Sequence, residues 1–140
     1  MRILIVLSGV SGTGKTHFRT HHEDYRDLPQ VDIADVYRDN PFIPRGMAAV
    51  ASVWPRVMKA FERGDEVILE GYFLRDSQSR WTLNRLASRS DVEVRYLNFW
   101  APLEVCEDRL TGAKLRGEIT EEEYETRLSM LRRCWTPKEN

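Results

Sequence analysis

Short aliphatic runs alternate with amphipathic stretches along this chain. Arg2–Ser8 holds an unbroken run from Ile3 to Leu7 closed by Gly9, the pattern of a strand buried on both faces. A Gly-rich turn follows, and a short helix is predicted from Lys15. Pro29–Ile33 reads as a weak second strand, with Val31 and Ile33 on one face. Met47–Arg63 has helical periodicity and stops at Gly64. Pro55 interrupts it, which predicts a kink or two abutting helices with Pro55 in a first turn. Glu66–Leu69 is a third strand, ended by Gly71 after Glu70, and Ser77 can cap a helix to about Ser88. Val92–Phe99 is a fourth strand. Pro102 opens a helix to about Leu110, and Thr120-Glu121-Glu122-Glu123 forms a capping box before a last helix to about Arg133. Strands alternating with helices predict an α/β fold with a mainly parallel sheet, whose ligands bind beyond the C-terminal strand ends.

Length adds that residues 1–140 make one domain with a real core. With 21 Lys+Arg against 22 Asp+Glu, the net charge of −1 excludes nucleic-acid binding by bulk charge but leaves room for a local basic patch. No apolar run approaches a membrane span or a signal-peptide core, and two cysteines make no disulfide framework, so a cytoplasmic setting is expected. No repeat or low-complexity tract occurs.

The segment Gly9-Val10-Ser11-Gly12-Thr13-Gly14-Lys15-Thr16 fits G-x-x-x-x-G-K-[ST] without exception. Chance would produce such a match in roughly one per cent or fewer of chains this long. The chemistry needs these residue types. Glycines at 9, 12 and 14 let the backbone curl, so that N–H groups from Ser11 to Thr16 can point at phosphate oxygens. Lys15 reaches the β- and γ-phosphates, and the Thr16 hydroxyl ligates Mg²⁺. The segment also stands between a strand and a helix, the context the motif requires. ATP with Mg²⁺ is the expected ligand.

A GTPase would need an Asn/Thr-Lys-x-Asp element, which is absent, and a motor ATPase would need more chain. A small kinase needs only a phosphate loop, an acceptor base, a carboxylate on the Mg²⁺ side and a lid of cations. Asp35, just past the second strand, is the candidate base; as an alternative it is an acidic helix cap. Arg38, one turn on, can clamp an acceptor phosphate. Glu70, ending the third strand, is the candidate Mg²⁺-side carboxylate. Tyr72 and Phe73 can stack a base or pack in the core. His17, His21 and His22 lack partners for a metal set and read as a solvated face.

A phosphate loop followed about twenty residues on by Asp35-Val36-Tyr37-Arg38 resembles the polynucleotide kinase branch of the P-loop kinases, among them small AAA-type phage kinases. The resemblance implies a monophosphate-kinase-like, three-layer α/β/α P-loop NTPase fold with a four- to five-stranded sheet and a helical lid at about residues 109–120. It implies γ-phosphoryl transfer to a hydroxyl on a nucleic acid or nucleotide, with Lys15, Thr16, Asp35 and Arg38 carrying over. A hydroxymethyl-pyrimidine DNA kinase, a zeta-toxin-like kinase and a non-catalytic nucleotide-operated module remain alternatives. Kinases of this type place two arginines in the lid. Arg109 takes the first position; the second falls near Ala113, so Lys114 or Arg116 must serve. Such kinases also add a fifth strand after the last helix. Only Trp135–Asn140 remain here, so Val92–Phe99 is expected at the sheet edge, protected by Glu93 and Arg95 or used to form a dimer.

Overall fold

The computed structural model describes residues 1–71 and 77–138. Its elements run β1 (Arg2–Ser8), α1 (Lys15–His21), β2 (Gln30–Asp32), α2 (Ala34–Asp39), α3 (Met47–Ala60), β3 (Glu66–Glu70), α4 (Ser77–Arg89), β4 (Val92–Asn98), α5 (Leu103–Leu115) and α6 (Glu121–Cys134). Among the described residues the sheet has four strands, all parallel, in the order β2-β3-β1-β4. β4 therefore lies at an edge, as its sequence context predicts, and among the described residues no fifth strand joins it. The Glu93 and Arg95 carboxylate and guanidinium pair at 3.0 Å on its exposed side.

Alternation along the strands divides the core. Leu4 and Val6 of β1, Val67 and Leu69 of β3 and Val31 of β2 face α3 and α4. Ile5, Leu7 and Ile68 face the opposite way, where Phe18 of α1, Tyr25, Leu28 and Leu97 cover them. Helix α3 presents Val50, Val53, Trp54 and Val57 to the sheet, all buried, at the spacing of one helical face. Each such side chain contributes about 1.5–3 kcal/mol of burial.

That burial explains a departure from expectation. Pro55 does not divide the segment: one helix runs through it, and a 3₁₀ turn, Phe61–Arg63, carries it to Gly64. The proline removes the bond to the Ala51 carbonyl, but both residues lie on the exposed face, where water can serve that carbonyl. Ser77 is the first residue of α4 rather than its cap, which falls outside the described residues. Helix α5 is longer than predicted, continuing past Leu110 to Leu115, so the expected lid segment is mostly helix. Thr120 does cap α6, accepting from the Glu123 N–H at 3.0 Å. The α5–α6 pair holds a small core of its own, Cys106, Leu110 and Leu131 against Val10 and Ala101. No helix among the described residues is long and apolar enough to cross a membrane.

Candidate active site

The loop between β1 and α1 is bound by its own contacts. Thr13 donates from its hydroxyl to the Val10 carbonyl at 2.9 Å, and the Lys15 ammonium donates to the Gly9 carbonyl, closing a ring of backbone. Gly12 (φ +81°) and Gly14 (φ +98°) take left-handed conformations that other residues adopt at a cost. At Gly12 there is a second reason for glycine: an added Cβ would lie 2.6 Å from the Cys106 carbonyl of α5. Lys15 is buried, and burial pushes its ammonium down to about 8 although the Glu70 and Asp32 carboxylates oppose the shift; Arg127 of α6 adds to the lowering.

Parallel register brings the ends of β2 and β3 together. Asp32 lies opposite Glu70, and Glu70 opposite Leu7 of β1. The two carboxyls face α1. The Thr16 hydroxyl donates to Glu70 at 2.9 Å. Arg19, one turn beyond on the same helix, donates to Asp32 at 3.4 Å and to Gln30 at 2.6 Å, and its Nε lies 3.5 Å from Glu70. Burial, followed by the hydrogen bond and charge of Glu70, pushes Asp32 up to about 6. Burial also pushes Glu70 upward, but the bond from Asp32, the charges of Lys15 and Arg19 and the Thr16 hydroxyl outweigh it and hold Glu70 below its usual range. Below about pH 6 the pair therefore carries one proton, which resides on Asp32. Asp32 and Arg19 are absent from the sequence-based candidates. Arg19 stands three and four residues beyond Thr16 and Lys15, a spacing that could have pointed to it.

Asp35 is in the first turn of α2, half exposed, with its carboxylate 2.9 Å from Arg38. Arg38 also reaches Glu123 of α6 at 3.7 Å, and Glu123 pairs with Arg127 at 3.5 Å. A chain of alternating charge therefore links α2 to α6. Arg109 of α5 donates to the Gly12 carbonyl at 2.8 Å, and its guanidinium lies across the loop toward Gly14. The structure does not bring Lys114 or Arg116 to this place. The Lys114 ammonium sits 4.1 Å from the Tyr124 ring centre and 3.6 Å from Glu121. Arg116 is held by Glu118 at 2.8 Å. The continued helix is the reason: it turns Lys114 toward the first turn of α6 and leaves Arg116 at its C-cap, folded back beside Gly112. Tyr72 and Phe73 lie outside the described residues.

The donors at the loop suit a hard cation. A hydroxyl and a carboxylate 2.9 Å apart, Thr16 and Glu70, supply oxygen ligands only, and Mg²⁺ commonly takes its remaining ligands from phosphate and water. Among the described residues no group of three or more His, Cys, Asp or Glu forms a metal set of its own.

A parallel sheet in this strand order, with such a loop after a central strand, defines a P-loop NTPase of the kinase-like type. The sequence matches the AAA_33 family, described as an AAA domain, over residues 4–134, and the chain belongs to that family. No curated protein sequence matches it. Among solved structures it is similar to a protein described as a putative kinase from Chloroflexus aurantiacus (17% identity, TM-score 0.64, 92% of this chain and 76% of that one). It is also similar to the Mycobacterium tuberculosis APS kinase CysC in complex with AMPPNP and APS (19%, 0.57, 85% and 76%). A third is shikimate kinase from Acinetobacter baumannii in complex with shikimate (16%, 0.54, 96% and 75%).

Proposed function

We propose that this chain is an ATP-dependent phosphotransferase that moves the γ-phosphoryl group to a hydroxyl on a nucleic acid or nucleotide. The observation that carries the reading is the joining of Thr16 to Glu70 at 2.9 Å beside Lys15, on a loop curled by Gly12 and Gly14. Backbone N–H groups from Ser11 to Thr16 bind phosphate oxygens, and Lys15 exchanges its bond to Gly9 for one to the β- and γ-phosphates. Thr16 and Glu70 would hold Mg²⁺, which supplies charge neutralisation on the phosphates. Asp32 and Arg19 orient Glu70.

Asp35, accessible on α2, is the base. It accepts the acceptor hydroxyl's proton as the acceptor oxygen bonds to phosphorus and the bond to the ADP oxygen breaks. Arg38 holds an acceptor phosphate. Arg109 and Arg127 are the cations placed to meet charge developing on the transferred group. Two neighbours solved with APS and with shikimate favour a second reading, a small-molecule acceptor. Transfer of labelled γ-phosphate, screened over 5′-hydroxyl DNA and RNA, modified-base DNA, nucleotides, nucleosides and small alcohols, tests the assignment. A product in the nucleic-acid arms supports it. ADP release that no acceptor stimulates returns the chain to a nucleotide-operated module.

A further inference from the structure

An open cleft of about 240 Å³ runs down the outer flank of the sheet, between edge strand β2 and helix α3. Gln30, Asp35, Arg56, Lys59 and Arg63 line it. The three cations stand at i, i+3 and i+7, one face of α3 continued into its 3₁₀ turn. At 1.5 Å per residue this stripe is about 10 Å long.

Connectivity gives the stripe a direction. α2 follows β2 at the C-terminal edge of the sheet, and α3 returns to the other edge, where β3 begins three residues after Arg63. The cations thus lead away from Asp35, with Arg56 first and Arg63 last. Arg56 is anchored by Asp39 of α2. Lys59 and Arg63 are exposed and have no ion pair or side-chain hydrogen bond among the described residues. In a chain of net charge −1 with 22 carboxylates, two uncompensated cations lining one cleft are a local departure from balance.

We infer that this cleft is the track for the phosphate backbone of a single-stranded nucleic-acid acceptor whose terminal hydroxyl lies at Asp35. The inference rests on the proposed function and specifies its acceptor. A terminal hydroxyl is followed by phosphates in covalent series, so a row of cations that begins beside the reacting atom fits a polymer, whereas a mononucleotide cannot reach its far end. A stripe of about 10 Å accommodates about two consecutive phosphates of a single strand. Among the described residues no aromatic ring lines the cleft, so those contacts position the strand without selecting its sequence.

The test is fluorescence anisotropy of a labelled 5′-hydroxyl 12-nucleotide DNA, without ATP, on the wild type and on Lys59→Glu/Arg63→Glu. Lys59→Gln/Arg63→Gln serves as a milder pair. The wild type should bind. The reversed pair should bind more than tenfold more weakly, and its plot of log affinity against log salt should flatten by about 1.4, the loss of two single-strand phosphate contacts. Melting temperature and ATP affinity should stay at wild-type values. Equal affinity and slope in variant and wild type overturn the track, and so does equal competition by polyglutamate. Two outcomes separate this from the kinase reading. If binding depends on Lys59 and Arg63 but no acceptor ever receives phosphate, the track stands and the proposed function falls. If wild type and variant phosphorylate a mononucleotide equally and neither binds the oligonucleotide, the track falls alone.

Discussion

Lys15 shows how one side chain serves two states. Its ammonium is buried against the Gly9 carbonyl, and burial lowers its proton affinity. Phosphate is the better partner, so Lys15→Ala should weaken ATP·Mg²⁺ binding by more than tenfold and abolish turnover, which calorimetry and a transfer assay will show. Asp32 makes a different prediction, set by the sign of its shift. A carboxyl raised from 3.8 to about 6 binds more protons in the folded state than in the unfolded one. Its contribution to stability is present below pH 4 and is lost as pH rises through about 6, a change of at most about 3 kcal/mol. In the absence of nucleotide and metal, Asp32→Asn should therefore gain stability relative to wild type between pH 4 and 6 and hold that gain above. Parallel pH profiles in denaturant unfolding would place the shared proton elsewhere. Lys15 and Thr16 are legible in the sequence because their spacing is local. Asp32 and Arg19 are not, because their contact depends on β2 pairing with β3 rather than with β1, and the hydrophobic pattern carries no strand order.

Among the elements, α5 changes the reading most. The helix expected to end near Leu110 continues through Gly112, and the absent Cβ leaves room for the Arg116 guanidinium, which an added Cβ would meet at 2.9 Å. The second lid cation proposed here is therefore Arg127 of α6, whose charge reaches Lys15. Arg127→Ala should lower kcat by tenfold or more with a smaller effect on KM for ATP, as a group that acts mainly in the transition state does. Lys114→Ala/Arg116→Ala should turn over near the wild-type rate. Steady-state kinetics on the two variants decides between α6 and the α5 end. α3 teaches the complementary lesson, since a proline in the sequence marks a break only where the lost carbonyl has no water, and Ala51 faces solvent.

At the scale of the molecule, the pattern of strands and helices gives the α/β class and the kinase resemblance gives the edge position of β4, while the order of the sheet comes from tertiary packing. β1 and β3 are flanked on both sides, and their amides should be the slowest to exchange; along β4 alternate amides face outward from the edge and should exchange fast. Slow exchange at every β4 amide in the monomer would require a further strand. The contact of Gly12 with Cys106 has a mechanical consequence. Loop and α5 meet backbone to backbone, with no compressible side chain between them, so α5 cannot lift as a flap without opening a void over the loop. Slack exists instead at Gly117, around which nothing lies within 4 Å of an added Cβ. The α5–α6 connection can therefore bend at Gly117, while the Leu131 core and the Arg132–Glu107 pair at 2.9 Å hold α6 itself against α5.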